Sequence, residues 1–351
     1  MNTQEIDILF TDIPHQLYRI GDYAILSKLG RGSYGRVYLA KNKQNKFLYA
    51  LKKLKIDEGI PTTTLREISL LKILQHPNII NLHQVLVSDK RIYMVMEYMK
   101  MSLNLFLRDF DVSSNLLQSF MFQLLQATAF CHNRRVLHRD IKSQNILVNH
   151  SMKIVKLCDF GLSRKIGFCP GRLTPTVVTL YYRSPELILN EGIYFSGVDI
   201  WSLGCVFVEM VLKHPPFRVD GEIQLFFSWF TQLGVPNDDD MPGAKVKFES
   251  MNFQESKNSF NAIKLLKTKV NSKCFDLIMQ MFIYNPLKRI GASAALLHEY
   301  FHDFDRSVAP AIGEENVGFP EEINAPRKPQ VLYLTTEHLE GLNDQGNMET
   351  K

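Results

Sequence analysis

The run His138-Arg139-Asp140-Ile141-Lys142-Ser143-Gln144-Asn145, with Asp159-Phe160-Gly161 beginning fourteen residues after Asn145, constrains this chain more than any other feature. Moving a phosphoryl group between two oxygens needs a carboxylate that orients the attacking hydroxyl. It also needs oxygen ligands that hold magnesium against nucleotide phosphates. Asp140 meets the first need, and Asn145 and Asp159 meet the second. A single Asp or Asn in a loop is more often a turn or cap residue. Two such groups in register point to shared chemistry.

At 351 residues the chain exceeds the roughly 250–300 that one hydrophobic core supports, so two lobes are expected. The net charge is +5, with basic residues scattered and no long Lys/Arg run or interleaved aromatic patch. That excludes a nucleic-acid-binding reading and leaves only a mild attraction to acidic partners. The five cysteines show no CxxC spacing and are odd in number, which predicts reduced, mostly buried thiols in a nuclear or cytoplasmic protein. Residues 1–19 carry early acids and no long apolar run, so neither a signal peptide nor a membrane anchor is expected there.

Gly30-Arg31-Gly32-Ser33-Tyr34-Gly35 matches the pattern GxGxxG, which is shared with dinucleotide-binding folds. Here it lies between alternating apolar runs, Tyr23 to Leu29 and Val37 to Ala40, with a second strand where a dinucleotide fold needs a helix. A hairpin is therefore expected. Tyr49-Ala50-Leu51-Lys52 follows it, and Ser184-Pro185-Glu186 comes after Asp159. In this order the motifs resemble the protein-kinase signature set. The resemblance covers roughly residues 20 to 304. It implies an α+β bilobal fold, with a small antiparallel sheet and one regulatory helix in the first lobe and a larger, mainly helical second lobe. The expected divisions are an N-terminal extension over 1–19, an N-lobe over 20–98, a C-lobe over 99–304, and a tail over 305–351. The tail is rich in Glu, Pro, Asn and Gly and is expected to be poorly ordered.

By the same resemblance the cofactors are ATP and Mg2+. Gly30, Gly32 and Gly35 would cover the phosphates, with glycines letting backbone N–H groups approach them, and Leu29 joins the nucleotide-binding set. Lys52 would hold the α and β phosphates and be held in turn by Glu67, fifteen residues on. Adenine would lie between Val37 and Ala50 above and Leu147 below, with its edge against Met96, Glu97 and Met99. Asp140 would be the catalytic carboxylate, Lys142 the lysine that serine/threonine kinases keep beside it, and Asn145 and Asp159 the metal ligands. Thr179 joins the catalytic set. Ser102 stands where close relatives place an acid near the ribose. Cys158, next to Asp159, would line the nucleotide pocket. The helix opening at Val198-Asp199-Ile200-Trp201 is expected to be central and buried, and Arg289 is expected to pair with Glu186.

Pro61-Thr62-Thr63-Thr64-Leu65-Arg66-Glu67 opens like a helix, with a proline and small hydroxyl residues at its start. If Glu67 faces inward, Leu70, Leu71 and Leu74 share its face on a 3.6-residue period, and Leu65 and Ile68 face elsewhere. The segment resembles the PSTAIRE-type helix of cyclin-dependent kinases, with Thr62, Thr64 and Leu65 in place of Ser, Ala and Ile. That implies a cyclin partner bound through Leu65 and Ile68, and a role in the cell cycle or in transcription. It also implies activation by phosphorylation of Thr174, gathered by Arg66, Arg139 and Arg164, since a phosphate orders a loop only where cations converge on it. Ser33 and Tyr34 match inhibitory phosphosites. Val178 matches a residue whose backbone favours proline after the phosphoacceptor, which implies Ser/Thr-Pro substrates.

Tyr181, Ser184 and Asn285 replace the usual Trp, Ala and Asp, and none of them removes a catalytic group. Residues 220–226 resemble a shortened docking loop, and Phe226, Phe227, Trp229 and Phe230 beside it are expected to be core. Two alternatives stand beside this reading. A mitogen-activated or other proline-directed kinase would carry Thr-x-Tyr where this chain has Thr174-Pro175-Thr176. A pseudokinase scaffold would lack Lys52, Asp140 or Asp159, and all three are present.

Overall fold

The structure, a computed structural model, describes residues 19–32, 35–55, 59–88, 91–151, 153–165, 180–188, 195–237, 239–241, 261–306 and 330–333. Contacts divide the chain into two compact units. One comprises residues 1–75, 80–99 and 315–351, and the other residues 76–79 and 100–314.

In the first unit, β1 (Tyr23–Gly32), β2 (Gly35–Asn42), β3 (Leu48–Lys55), β4 (Leu82–Ser88) and β5 (Arg91–Glu97) form an antiparallel sheet in the order β1-β2-β3-β5-β4. Register decides which side chains share a face. Val37 pairs with Lys52 and Lys52 with Met94, while Leu39 pairs with Ala50 and Ala50 with Met96. Side chains alternate along each strand, so these residues all project from one side. The opposite side carries a core that includes Tyr23, Ala40, Tyr49, Leu51, Tyr93 and Val95. The β1–β2 hairpin closes with Gly32 opposite Gly35, as the alternating runs predict. A Cβ at Gly35 would run into the carbonyl of Lys53 on β3, so backbone contact alone requires glycine there.

Helix α1 (Thr62–Ile73) begins after Pro61, whose carbonyl accepts from the N–H groups of Thr64 at 2.9 Å and Leu65 at 3.2 Å. It buries Thr64, Glu67, Ile68, Leu70 and Leu71. The expectation that Ile68 faces away from the inward side is therefore corrected: it is 3% exposed. Ile68 lies four residues after Thr64 and one after Glu67, and the buried stripe spans both lines of the helical surface. Leu65 is half-buried, and Ile73, two turns on, is the exposed apolar residue of the helix.

The second unit opens with β6 (Met101–Ser102), α2 (Leu103–Asp109) and α3 (Ser114–Asn133). Next come β7 (Val136–Leu137), β8 (Ile146–Asn149), β9 (Ile154–Leu157) and β10 (Arg164–Lys165). The helices α4 (Pro185–Ile188), α5 (Gly197–Leu212), α6 (Glu222–Leu233), α7 (Ala262–Lys269), α8 (Ser272–Met281) and α9 (Ala292–Ala295) follow. Its strands make two small sheets, β6-β8-β9 and β10-β7.

The centre of this unit is α5, where every residue but Val211 is buried, as its predominantly apolar sequence requires. Trp201 lies within 6 Å of Phe217, Trp229 and Phe282, with ring centroids 5.9, 5.5 and 5.1 Å away. Phe226, Trp229 and Phe230 are core, as expected, while Phe227 is half-buried. Arg289 holds Glu186 through two parallel hydrogen bonds of 2.7 and 3.0 Å, with its guanidinium 5.0 Å from the Trp201 ring. The expected pair is therefore formed.

Cys131, Cys205 and Cys274 are buried free thiols and Cys158 is half-buried. Burial pushes the first two well up and Cys274 to about 12, so all three stay protonated. Cys169 lies outside the described residues.

The C-terminal stretch, expected to be poorly ordered, contributes one described element, β11 (Gln330–Tyr333). It joins the sheet of the first unit beside β4, in parallel, so the complete sheet is six-stranded. Among the described residues no helix is long and apolar enough to cross a membrane.

At Gly204 on α5 a Cβ would stand 2.9 Å from the Phe282 ring and 3.2 Å from Met281 Cβ. Overpacking of this kind costs about 1–3 kcal/mol. Gly204→Val is expected to lower the urea unfolding midpoint accordingly, with an unchanged denaturant slope.

Candidate active site

The site residues fall in both units. In the first, the face of the sheet bearing Val37, Ala50, Lys52 and Met96 is the one from which Lys52 reaches α1. The Lys52 Nζ lies 2.8 and 2.7 Å from the two carboxylate oxygens of Glu67. Both side chains are nearly water-free, at 7% and 3% exposure. A pair this dry persists because each charge answers the other, and removing one partner strands the other. Met96 and Met99 are buried and Leu29 is exposed. The carboxylate of Glu97 accepts from the Asn81 N–H at 3.3 Å. Among the described residues nothing lies within 4 Å of where a Cβ on Gly30 would stand, so their packing does not explain that glycine.

In the second unit the loop after β7 is built around a buried carboxylate. Asp199, in the first turn of α5, accepts from the backbone N–H of His138 at 2.9 Å and of Arg139 at 2.7 Å. It also lies 2.9 Å from His132 Nε2. Burial alone would raise the pKa of Asp199, but the hydrogen bond and charge of His132, with the other donors, outweigh it and hold the carboxyl below its usual value. Arg139 takes a left-handed backbone, φ 69°, which lets consecutive N–H groups converge on this acceptor.

That anchoring presents Asp140. Lys142 Nζ stands 2.9 Å from both oxygens of its carboxylate. The amide nitrogen of Asn145 donates to the Asp140 carbonyl at 2.9 Å and to its carboxylate at 2.7 Å. With its N–H groups engaged on Asp140, Asn145 keeps its oxygen as an acceptor or metal ligand.

Asp159 is fixed to the same loop through the backbone. The N–H of Cys158 donates to the Asn145 carbonyl at 2.9 Å, and His138 Nε2 lies 3.1 Å from the Cys158 carbonyl. Phe160 is fully buried with its ring 4.7 Å from that of His138, and the Ser163 hydroxyl donates to the His138 carbonyl at 3.1 Å. Asp159 itself has φ 63° and ψ 71°. A non-glycine residue there costs about 1–3 kcal/mol and survives only where its surroundings fix it. These hydrogen bonds supply that.

The hard oxygens of Asp159 and Asn145 suit magnesium, whose usual site is one or two such ligands completed by water and phosphate. Among the described residues no group of three or more His, Cys, Asp or Glu forms a protein-only metal cage. Leu147 is half-buried on β8, paired with Ser102 of β6. Ser102 caps α2, its hydroxyl accepting from the Leu105 N–H at 3.5 Å. Arg164 is exposed on β10, opposite Leu137 and so two positions from Arg139, while Arg66 is half-buried on α1. Ser33, Tyr34, Thr174, Val178 and Thr179 lie outside the described residues.

Sequence reasoning placed Asp140, Lys142 and Asn145 together but gave no roles to His132 and Glu209 and none to the Asp199 side chain. The available signal was charge in the wrong place, since Asp199 and Glu209 interrupt an otherwise apolar helix.

A sheet unit with a buried Lys–Glu pair and a helical unit with an Asp–Lys–Asn loop beside a second aspartate define a phosphoryl-transferring class of protein. Comparison with known families bears this out: residues 23–301 match the protein kinase domain. The chain belongs to the protein kinase family, whose members are ATP-binding transferases that generally use ATP and Mg2+.

Lys52→Met strands Glu67 in the core and is expected to cost about 3–5 kcal/mol, together with nearly all kinase activity. Adding Glu67→Leu removes the stranded charge. The double variant is expected to recover most of the stability in chemical denaturation while remaining inactive, which separates the pair's structural role from its chemical one.

Proposed function

We propose that this kinase is a cyclin-dependent serine/threonine kinase that transfers the γ-phosphoryl of ATP to Ser/Thr-Pro sites in proteins. The observation that supports the reading is Lys142 Nζ at 2.9 Å from the Asp140 carboxylate, on the lysine that by resemblance serine/threonine kinases keep at this position. Asp140 orients the acceptor hydroxyl and takes its proton, while Lys142 steadies the transferred group and offsets its charge. Asn145 and Asp159 would hold magnesium, which when bound neutralises phosphate charge. Lys52, fixed by Glu67, holds the α and β phosphates beneath Gly30, Gly32 and Gly35. Val37, Ala50, Met96 and Leu147 enclose the adenine, with Glu97 and Met99 at its edge and Leu29 at the entrance.

The partner reading rests on the sequence of α1 and on its outer side, where half-buried Leu65 and exposed Ile73 are spaced two turns apart. A cyclin seated there holds Glu67 against Lys52. Phosphorylation of Thr174 recruits Arg66, Arg139 and Arg164, from the helix, the catalytic loop and the activation segment, and orders the segment carrying Val178 and Thr179. Phosphate on Ser33 or Tyr34 opposes ATP by charge. On this reading the protein works in the nucleus or cytoplasm, in the cell cycle or in transcription, and its partners are proteins, with no nucleic acid and no membrane among them.

The chain purified with its bound partner is expected to phosphorylate a Ser-Pro peptide with magnesium and ATP and to act far more weakly on the matched Ser-Ala peptide. A donor N–H left unpaired in the second case costs about 1–3 kcal/mol, or roughly 5- to 150-fold in kcat/KM. Equal rates reject proline direction, and full activity in the partner-free monomer rejects cyclin dependence. Thr174→Ala is expected to reduce kcat of the complex at least about tenfold, since the phosphate's charge-assisted contacts are lost. Unchanged turnover removes the switch.

A further inference from the structure

Behind the Asp140 loop lies a second buried carboxylate whose partners neither the family match nor the catalytic chemistry explains. Glu209, near the C-terminal end of α5, is 3% exposed. The Ser143 hydroxyl donates to its Oε1 at 2.7 Å, and the Tyr182 hydroxyl donates to its Oε2 at 2.7 Å. The two hydroxyl oxygens are 3.2 Å apart. Ser143 is fully buried and Tyr182 is 2% exposed.

Counting protons fixes the direction of these bonds. Two hydroxyls bring two protons, and both go to the carboxylate, one to each oxygen. The contact between the hydroxyls is then a consequence of sharing one acceptor and adds no bond of its own. Burial raises the pKa of Glu209, and the donors Tyr182 and Ser143 act against that rise, while burial keeps the Tyr182 phenol protonated. The cluster is complete only with all three groups in place, because removing either hydroxyl leaves a dry carboxylate oxygen without a donor.

The location gives the cluster its consequence. Ser143 stands between Lys142 and Asn145 and opens the short turn Ser143–Asn145 that aims the Asn145 amide at Asp140. Tyr182 closes the turn Leu180–Tyr182 that leads into α4, the helix held by Arg289 through Glu186. The Tyr182 carbonyl is held by the Ser202 hydroxyl at 2.8 Å, so α5 grips this turn at two points. We infer that Ser143, Tyr182 and Glu209 are positioning residues for phosphoryl transfer, and that they lock the loop bearing Asp140, Lys142 and Asn145 to the segment ending at Tyr182 through one shared carboxylate. Asp199 fixes the start of the loop and Glu209 fixes its far side, so the reacting groups are held from both ends.

The inference rests on Asp140 as the catalytic carboxylate, and Asp140→Asn serves as the control for that reading. The test compares Ser143→Ala, Tyr182→Phe, the double variant and Ser143→Thr in the full-length chain with its bound partner. Rates on a general protein acceptor such as casein are normalised to the folded fraction from denaturation curves. Each single variant is expected to lose about tenfold in kcat, within the range that small misplacement of reacting groups produces, with KM for ATP changed less than twofold. The double variant is expected to lose no more than the worse single one, because both hydroxyls act through one carboxylate. Ser143→Thr, which keeps the hydroxyl, is expected to restore most of kcat. Wild-type kcat in Ser143→Ala, multiplied losses in the double variant, or failure of Ser143→Thr to recover would each overturn the inference. An active Asp140→Asn would instead overturn the site reading beneath it.

Discussion

The hydrogen bonds from two consecutive backbone N–H groups to the buried carboxylate of Asp199 are the constraint on which the geometry of the candidate site in the second unit depends. A loop cannot hold a reactive side chain to a fraction of an ångström by its own stiffness, and ordinary loops are the mobile parts of a fold. Here the loop takes its position from the most buried helix of the unit. An ionised acceptor in a dry site makes each bond shorter and stronger than a neutral one. The left-handed Arg139 is the local strain this arrangement imposes, and the converging donors offset it.

The same principle, a charge removed from water and answered by a specific partner, recurs wherever distant segments must meet. Glu67 fixes Lys52, Glu186 is clasped by Arg289, and Glu209 accepts from Ser143 and Tyr182. None of these carboxylates is an efficient source of stability, since an apolar pair of similar volume often does as well. What each supplies is direction, because only one arrangement of the chain satisfies it. That is also why loss of one partner weighs more than the interaction itself would suggest.

How much of this was legible in the sequence depended on whether a contact was local or encoded in a familiar order of motifs. The hairpin over Gly32 and Gly35, the buried run of α5 and the Lys52–Glu67 and Arg289–Glu186 pairs could be read because spacing and order carried them. Ile68 departs from expectation because a 3.6-residue period counted from Glu67 marks only one line of the helical surface, whereas α1 buries a stripe wide enough to include both Thr64 and Ile68. The anchoring of His138 by Asp199 spans 61 residues and that of Ser143 by Glu209 spans 66, with no periodicity to link them. What remained visible was an acid in an apolar helix, which signals that a partner exists without saying which. The strand at Gln330–Tyr333 was also missed, because four residues in a polar stretch give too short a pattern to read.

The buried thiols give the molecule a further property. Cys131 sits near the end of α3, Cys205 in the middle of α5 and Cys274 in α8, so three separate parts of the second unit each conceal one sulfur nucleophile. A thiol that is both covered and protonated does not react until its surroundings open. The order in which these three sulfurs accept an alkylating label therefore records the order in which the surrounding helices separate, and the chain carries its own clock for local opening.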